Sequence, residues 1–345
     1  MDAFSIVTLL KAMHGWRMAC VAVAAIVASA CTTVPYQHGT GRIAQDGPLS
    51  PPMKQQFLYG KPNTFLDAAD WYWPESLLGK LILWNKNIDS HQISPETIEA
   101  MQQYVAVNDL SNVQILVNGY YPGNQWQRLF KNKMVGKGWR FTFGILSVVG
   151  YTILPGRFFG GDAYNPYTHT IYLYSDEAAI ALHEAGHSKD FGSRKHKGLH
   201  AALYQLPLVS LYYEAKASSD ALSYARCNVE LRKDAYKLLY PAWSTYVGGN
   251  IGRFDENLLW NLSVIPGHIV GRIRAANVEP CQPGEASPVA TAAPLEAMLD
   301  LLADEEPGIA SGHDVGDDPG LDDPGLDDPG LETSSSEPKT EPTLQ

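Results

Sequence analysis

The stretch Ile180–Phe191, IALHEAGHSKDF, governs how the rest of the chain is read. It places His183 and His187 four residues apart, with Glu184 directly after the first histidine. On a helix, positions i and i+4 project from one face. Two imidazole nitrogens can then reach a common point, with Glu184 standing beside it. The flanks predict such a helix. Ser175 reads as its N-cap, Asp176 and Glu177 as acids in its first turn, and Gly192 as its stop. Before it, YNPYTHTIYLYSD sets Thr168, Thr170, Tyr172 and Tyr174 in alternation with His169, Ile171 and Leu173, a strand pattern rich in β-formers. The helix itself is apolar nearly all round (Ala178, Ala179, Ile180, Ala181, Leu182, Ala185, Gly186), so it is expected to be buried. Burying two histidines and a glutamate without partners is costly, and a cation removes that cost.

A catalytic Zn2+ needs a third protein ligand and an open coordination position. LYYEAKASSDALSYARC reads as a second helix, on which Glu214 falls 27 residues after His187. Glu214, Ser218, Ala221 and Ala225 recur every three to four residues, a face of small side chains headed by a carboxylate. Such a face lets the second helix approach the first closely and deliver Glu214. The alternative for Glu214 is an ordinary exposed helical glutamate.

With H-E-x-x-H on one helix and a glutamate on the next, the sequence resembles the gluzincins, a class of zinc metallopeptidases, over roughly residues 105–230. The resemblance implies an α+β, zincin-like fold, mostly helical with a small mixed sheet whose edge strand precedes the active-site helix. It implies Zn2+ as cofactor, His183, His187 and Glu214 as ligands, and Glu184 as the general base that takes a proton from the attacking water. It also implies that the strand over 168–174 borders a cleft where a peptide could pair. Two positions depart from the pattern. Ser218 stands four residues after the ligand glutamate, where gluzincins commonly carry Asp. Lys189 stands two after the second histidine, where an apolar residue is usual. Metzincins would need Gly at 190 and His at 193, where the chain has Asp190 and Ser193. The membrane AAA proteases share HEAGH, but the chain has no phosphate-binding G-x-x-x-x-G-K-[ST] loop. His196 and His200, in RKHKGLH, are alternative ligands or transition-state donors, or simply an exposed basic loop. Tyr212, Tyr213, Tyr224 and Arg226 are further candidates for stabilising an oxyanion, or core residues.

Around this centre, residues 66–285 are expected to form the catalytic domain. Ser94, Pro95 and Glu96 start a helix in ISPETIEAMQQYVAV. NVQILVNGYY reads as a strand with Val113, Ile115 and Val117 on one face, and GNQWQRLFKNK as a short helix. Residues 139–161, WRFTFGILSVVGYTILPGRFFGG, are too short a run to span a bilayer. They read as buried hairpin strands in preference to a substrate-groove wall or a loop dipping into lipid.

The ends have their own character. Residues 1–30 carry Lys11 and Arg17 before the apolar run ACVAVAAIVASA, a secretory signal. The run ends at Cys31, and ASAC resembles the lipobox of bacterial lipoproteins, with Ala28 where Leu is usual. That implies lipid on Cys31, a tether over 31–65, and a place at the outer membrane facing the periplasm; the alternative is a plain signal peptide. In that oxidising compartment Cys227 and Cys281 either form one disulfide or stay as two thiols. Residues 286–345 contain three DDPGL repeats and are expected to be a disordered acidic tail. From Asp304 onward, thirteen acids face one lysine, a net of −12 against −11 for the whole chain, so the remainder is close to neutral. Nothing in that balance points to nucleic acid. The partners expected are a peptide or protein substrate in the envelope and, through the anchor, the membrane. The alternatives to a peptidase are a non-catalytic zinc-containing lipoprotein and a zinc hydrolase of another envelope substrate.

Overall fold

Three of the early helices begin on proline, whose fixed φ and missing N–H suit the first helical position. A computed structural model describes residues 56–60, 67, 72–154, 161–252 and 262–282. Strand β1 (Phe57–Tyr59) is followed by α1 (Pro74–Leu83) and α2 (Pro95–Val107). Ser94 caps α2 by accepting the Thr97 N–H at 3.3 Å. Strand β2 (Gln114–Val117) and helix α3 (Pro122–Lys131) come next. Helix α4 (Lys137–Trp139) runs through a π-helical turn (Arg140–Gly144) into α5 (Ile145–Ile153). Strands β3 (Ala163–Asn165) and β4 (Thr170–Leu173) lead to α6 (Ala178–Ser193). Then come α7 (Lys197–Leu203), α8 (Val209–Tyr224), a 3₁₀ turn at Ala225–Cys227, α9 (Val229–Gly252) and α10 (Val264–Ala276). This is a mostly helical α+β chain with one small mixed sheet, as the sequence predicts. Among the described residues no helix is long and apolar enough to cross a membrane.

The sheet runs β1-β2-β4-β3, with β1, β2 and β4 parallel and β3 antiparallel to β4. The strand before the histidine helix is therefore not at the edge. β4 has a partner on each side, which is why all four of its residues are buried. The edge on this side is β3, too short and too mixed in composition to stand out in the sequence. The tether expected over 31–65 is also corrected at its end, because Phe57–Tyr59 pair with Ile115–Val117 as a sheet strand.

Helix α6 packs against α8, α2 and α9, with β3 and β4 also against it, and from Ala181 to Gly192 every residue is buried. The expected Ser175 cap does not form. The chain stays extended to Glu177, the actual N-cap residue. Ser175 Oγ instead bonds Asp162 and accepts the Asp89 N–H at 2.9 Å. Asp176 turns to α2, accepting from Ser94 N at 2.9 Å and Thr97 Oγ1 at 2.7 Å, a carboxylate at that helix's positive end. The hairpin expected in 139–161 is helical instead over 137–153, because its apolar residues follow a helical spacing that leaves one side outward. Residues 1–55, with the signal, Cys31 and most of the tether, lie outside the described residues, as do 155–160 and the acidic tail.

Candidate metal centre

The centre rests on how closely α6 and α8 approach. A Cβ on Gly186 would sit 3.1 Å from the Ala217 carbonyl oxygen and 3.2 Å from its Cα. Glycine on one helix and alanine on the other therefore bring the two backbones together; the alanine, Ala217, lies beside the predicted small face, of which Glu214 and Ser218 reach His183. The approach brings Glu214 Oε2 to 3.1 Å from His183 Nε2 and 3.5 Å from His187 Nε2. The two Nε2 atoms are 3.0 Å apart. All three residues are buried, and among the described residues they are the group able to hold a metal ion.

The triangle fits such an ion. Ligand bonds of about 2.0–2.1 Å in a tetrahedron put the donor atoms about 3.3 Å apart, and the three edges bracket that length. Two imidazoles and a carboxylate with all three donor atoms converged form a set that a divalent cation completes. The His183 ring is fixed from behind by Ser218 Oγ, 3.1 Å from Nδ1. Ser218 thus occupies the supporting position where the gluzincin pattern has Asp. Asp220 is not lost to the site's surroundings either: it accepts from Lys189 Nζ at 2.7 Å and from the Tyr104 hydroxyl. The two positions noted as departures thus each have a partner in the structure, Ser218 on His183 and Lys189 on Asp220.

Glu184 lies beside the triangle, with Oε1 4.0 Å from His183 Nε2. Burial pushes its carboxyl up to about 8; His183 opposes the shift, and Glu214 adds to it. Glu184 also receives a hydrogen bond from the Tyr164 main chain, so edge strand β3, not β4, borders this group. Burial pushes the Glu214 carboxyl up as well. The charges and hydrogen bonds of His187 and His183 outweigh that effect and hold it well below the usual carboxylate range.

One tyrosine that the sequence reading passed over reaches the centre, and a second is coupled to it by charge. Tyr204 follows α7 and donates to Glu214 Oε1 at 2.5 Å, with its hydroxyl 3.4 Å from His187 Nε2. Burial, then Glu214, raise its phenol well above the ordinary range. Tyr246 on α9 is raised first by Glu214 and then by burial, while the residue as a whole is 44% exposed. Of the two, Tyr204 has its O–H placed on the centre, on Glu214 Oε1. Reading KGLHAALY as a helix rather than a loop would have put Tyr204 one turn after His200. Tyr213 and His200 pair with each other, Tyr213 OH to Nδ1 at 2.6 Å, and line a cleft of about 330 Å³ that also touches Tyr164, His187, Phe191 and Tyr204.

The other candidates are placed elsewhere. Tyr224 packs edge-on against Tyr104 in the core, ten residues and so about 15 Å along α8 from Glu214. Arg226 lies beyond it in the 3₁₀ turn. His196 is an exposed residue before α7, and Tyr212 is exposed beside Arg194. Cys227 and Cys281 form a disulfide, with Cα atoms 5.1 Å apart. No family model, curated protein or solved structure matches the chain.

Proposed function

We propose that this protein is a zinc-dependent hydrolase of peptide bonds, acting as an envelope lipoprotein anchored through Cys31. The observation that carries the reading is the buried triangle of His183, His187 and Glu214 with the Glu184 carboxyl beside it, 4.0 Å from His183 Nε2. Two imidazoles and one carboxylate are a ligand set of catalytic zinc, which lowers the pKa of a bound water to about 7 and polarises a carbonyl. A structural site has no use for an adjacent base. Glu184, set off from the triangle, takes the proton of the attacking water and returns it to the leaving amine. Tyr204, whose single O–H goes to Glu214 Oε1, holds that carboxylate in place with Oε2 facing the two imidazoles. A substrate would enter by the cleft lined by Tyr164 of β3, His187, Tyr213 and His200.

Metal content of the full chain, measured by mass spectrometry beside Glu214→Ala, tests the ligand set. Near one zinc per chain in the parent and far less in the variant is the expected result. No zinc in the parent removes the reading altogether. Equal zinc in both removes Glu214 from the ligand set. Zinc without cleavage of any peptide library leaves a non-catalytic zinc protein.

A further inference from the structure

Residues 137–153 form one continuous helix, α4 through α5, whose inner side is firmly held. Gly144 and Val148 are buried, Ser147 Oγ accepts from Asn165 Nδ2 at 2.8 Å, and the Tyr151 ring stacks on Tyr172 of β4. Its outer side is apolar and open. Trp139, Phe143, Leu146 and Ile153 follow one helical stripe, with Leu146 and Ile153 67% and 68% exposed and Leu154 beside them at 50%. Phe141 and Phe130, tilted against each other, extend the stripe sideways. The few polar groups on this side are satisfied within the chain. Thr142 Oγ1 donates to the Gly138 carbonyl at 2.8 Å, and Thr152 Oγ1 to that of Val148 at 2.6 Å. A surface that needs no water for its hydroxyls and offers aromatic rings outward suits the interface of a lipid layer.

Charge selects the lipid. From Leu110 to Gly161 the sequence holds six basic residues and no acid. Lys131, Lys133 and Lys137 are exposed at the head of the helix, while Arg140 is turned in to the Phe130 and Asn132 carbonyls. An apolar, aromatic stripe headed by lysines complements an anionic headgroup layer, with the alkyl stems following the apolar surface and the ammonium groups at the phosphates. A second copy is a poorer occupant, because a symmetric contact would bring the same lysines together with no acid on this segment to neutralise them. We infer that the α4–α5 face is a peripheral membrane-binding surface that docks on anionic lipid, independently of any acyl anchor. The Trp139 ring lies against Gly198 of α7, the helix that carries His200 and leads to Tyr204. Docking would therefore take place beside the wall of the cleft.

The test is a local probe in the full chain. With Cys20→Ser and Cys31→Ser removing other thiols and the acylation position, Leu146→Cys is labelled with an environment-sensitive dye, and Glu230→Cys, on exposed α9 surface, serves as the reference. Vesicles containing phosphatidylglycerol should brighten and blue-shift the Leu146 label and leave the Glu230 label unchanged. Reversing the three lysines (Lys131→Glu, Lys133→Glu, Lys137→Glu) should raise the lipid concentration at half-effect by about tenfold or more, without touching the core. The inference is overturned if the Leu146 label ignores vesicles. It is equally overturned if the label responds to protein concentration without lipid, which marks a second copy, or responds alike to phosphatidylcholine and in the lysine-reversed chain. None of these readouts depends on metal or on hydrolysis.

Discussion

Ser218 holds His183 through a neutral hydroxyl where a carboxylate would hold it through charge. That exchange has a measurable consequence. A supporting group behind a ligand imidazole fixes its tautomer and orientation, and its loss typically weakens metal binding 10- to 100-fold. Ser218→Ala should therefore lower zinc affinity in a competition titration by about that factor, while Ser218→Asp should hold or raise it. Glu184→Gln separates binding from chemistry, because the triangle does not include it. It should retain zinc and the fold and lose at least about 100-fold in cleavage rate. Cleavage at the parent rate would exclude Glu184 as the base. His169, outside the centre, gives the fold a pH dependence. It is fully buried, at φ 51° before β4, with Nδ1 2.7 Å from the Tyr164 hydroxyl. Burial, then Arg128 and Lys197, lower its pKa to about 3, against about 6.5 in an unfolded chain. Below pH 6.5 the unfolded state takes up a proton that the folded state refuses. Stability therefore falls by up to about 1.4 kcal/mol per pH unit as pH drops from 6.5 towards 3. His169→Asn, which tolerates the left-handed backbone, should be less stable at pH 7 through the lost bond to Tyr164. Its deficit should shrink by about 2 kcal/mol at pH 5, as read from urea midpoints. A constant deficit would remove His169 as the source.

At the scale of elements, α6 is clamped to α8 twice: by the small-residue contact at Gly186 and Ala217, and one turn on by the Lys189–Asp220 pair, which Tyr104 of α2 completes. The pair is largely buried on the lysine side, so Lys189→Met, leaving Asp220 behind, should cost about 3 kcal/mol. Lys189→Met with Asp220→Leu should cost clearly less than the two single changes together, and strict additivity would show that the groups do not cooperate. Gly186→Val should cost about 1–3 kcal/mol by overpacking and reduce zinc content with it, since it drives Glu214 away from the histidines. The centre was legible in the sequence because its signals are local and periodic. His183 and His187 share a face by their spacing alone, and Glu214, Ser218 and Ala221 repeat at the helical interval. What was not legible depends on tertiary partners. β3 is three residues long and exists through pairing with β4. Ser175 has the chemistry of a cap but meets Asp162 first. Tyr204 reaches Glu214 only because α7, between α6 and α8 in sequence, packs against α6. The 139–161 run was identifiable as apolar, but which side of it is covered is decided by Tyr172 and Asn165 of the sheet.

Over the whole molecule, the helices divide by how they are attached. α6 and α8 lie in the main core with the sheet, whereas α10 reaches the rest of the fold through α9, α1 and the disulfide. Its His268 stacks on Trp84 with ring centroids 4.1 Å apart and bonds the Ile82 carbonyl through Nε2 at 2.6 Å. Arg272 joins this pair, 4.7 Å from the Trp84 ring centroid and with Nη1 3.0 Å from His268 Nδ1. Cys227–Cys281 then ties the turn between α8 and α9 to the chain just beyond α10, across a sequence separation of 54 residues. Closing a loop of that length removes chain entropy from the unfolded state worth about 4 kcal/mol in the simplest treatment. The bridge touches neither the triangle nor Glu184. Cys227→Ala with Cys281→Ala should therefore lower the unfolding free energy by about 2–4 kcal/mol and raise amide exchange in α10 first. Zinc content and the exchange protection of α6 should stay at parent values under native conditions. Because the loss is expected in the peripheral hairpin, the same variant should open α10 at a denaturant concentration where the α6–α8 pair is still closed. Loss of zinc in step with α10 would instead mean that the α9–α10 hairpin and the metal centre unfold as one cooperative unit.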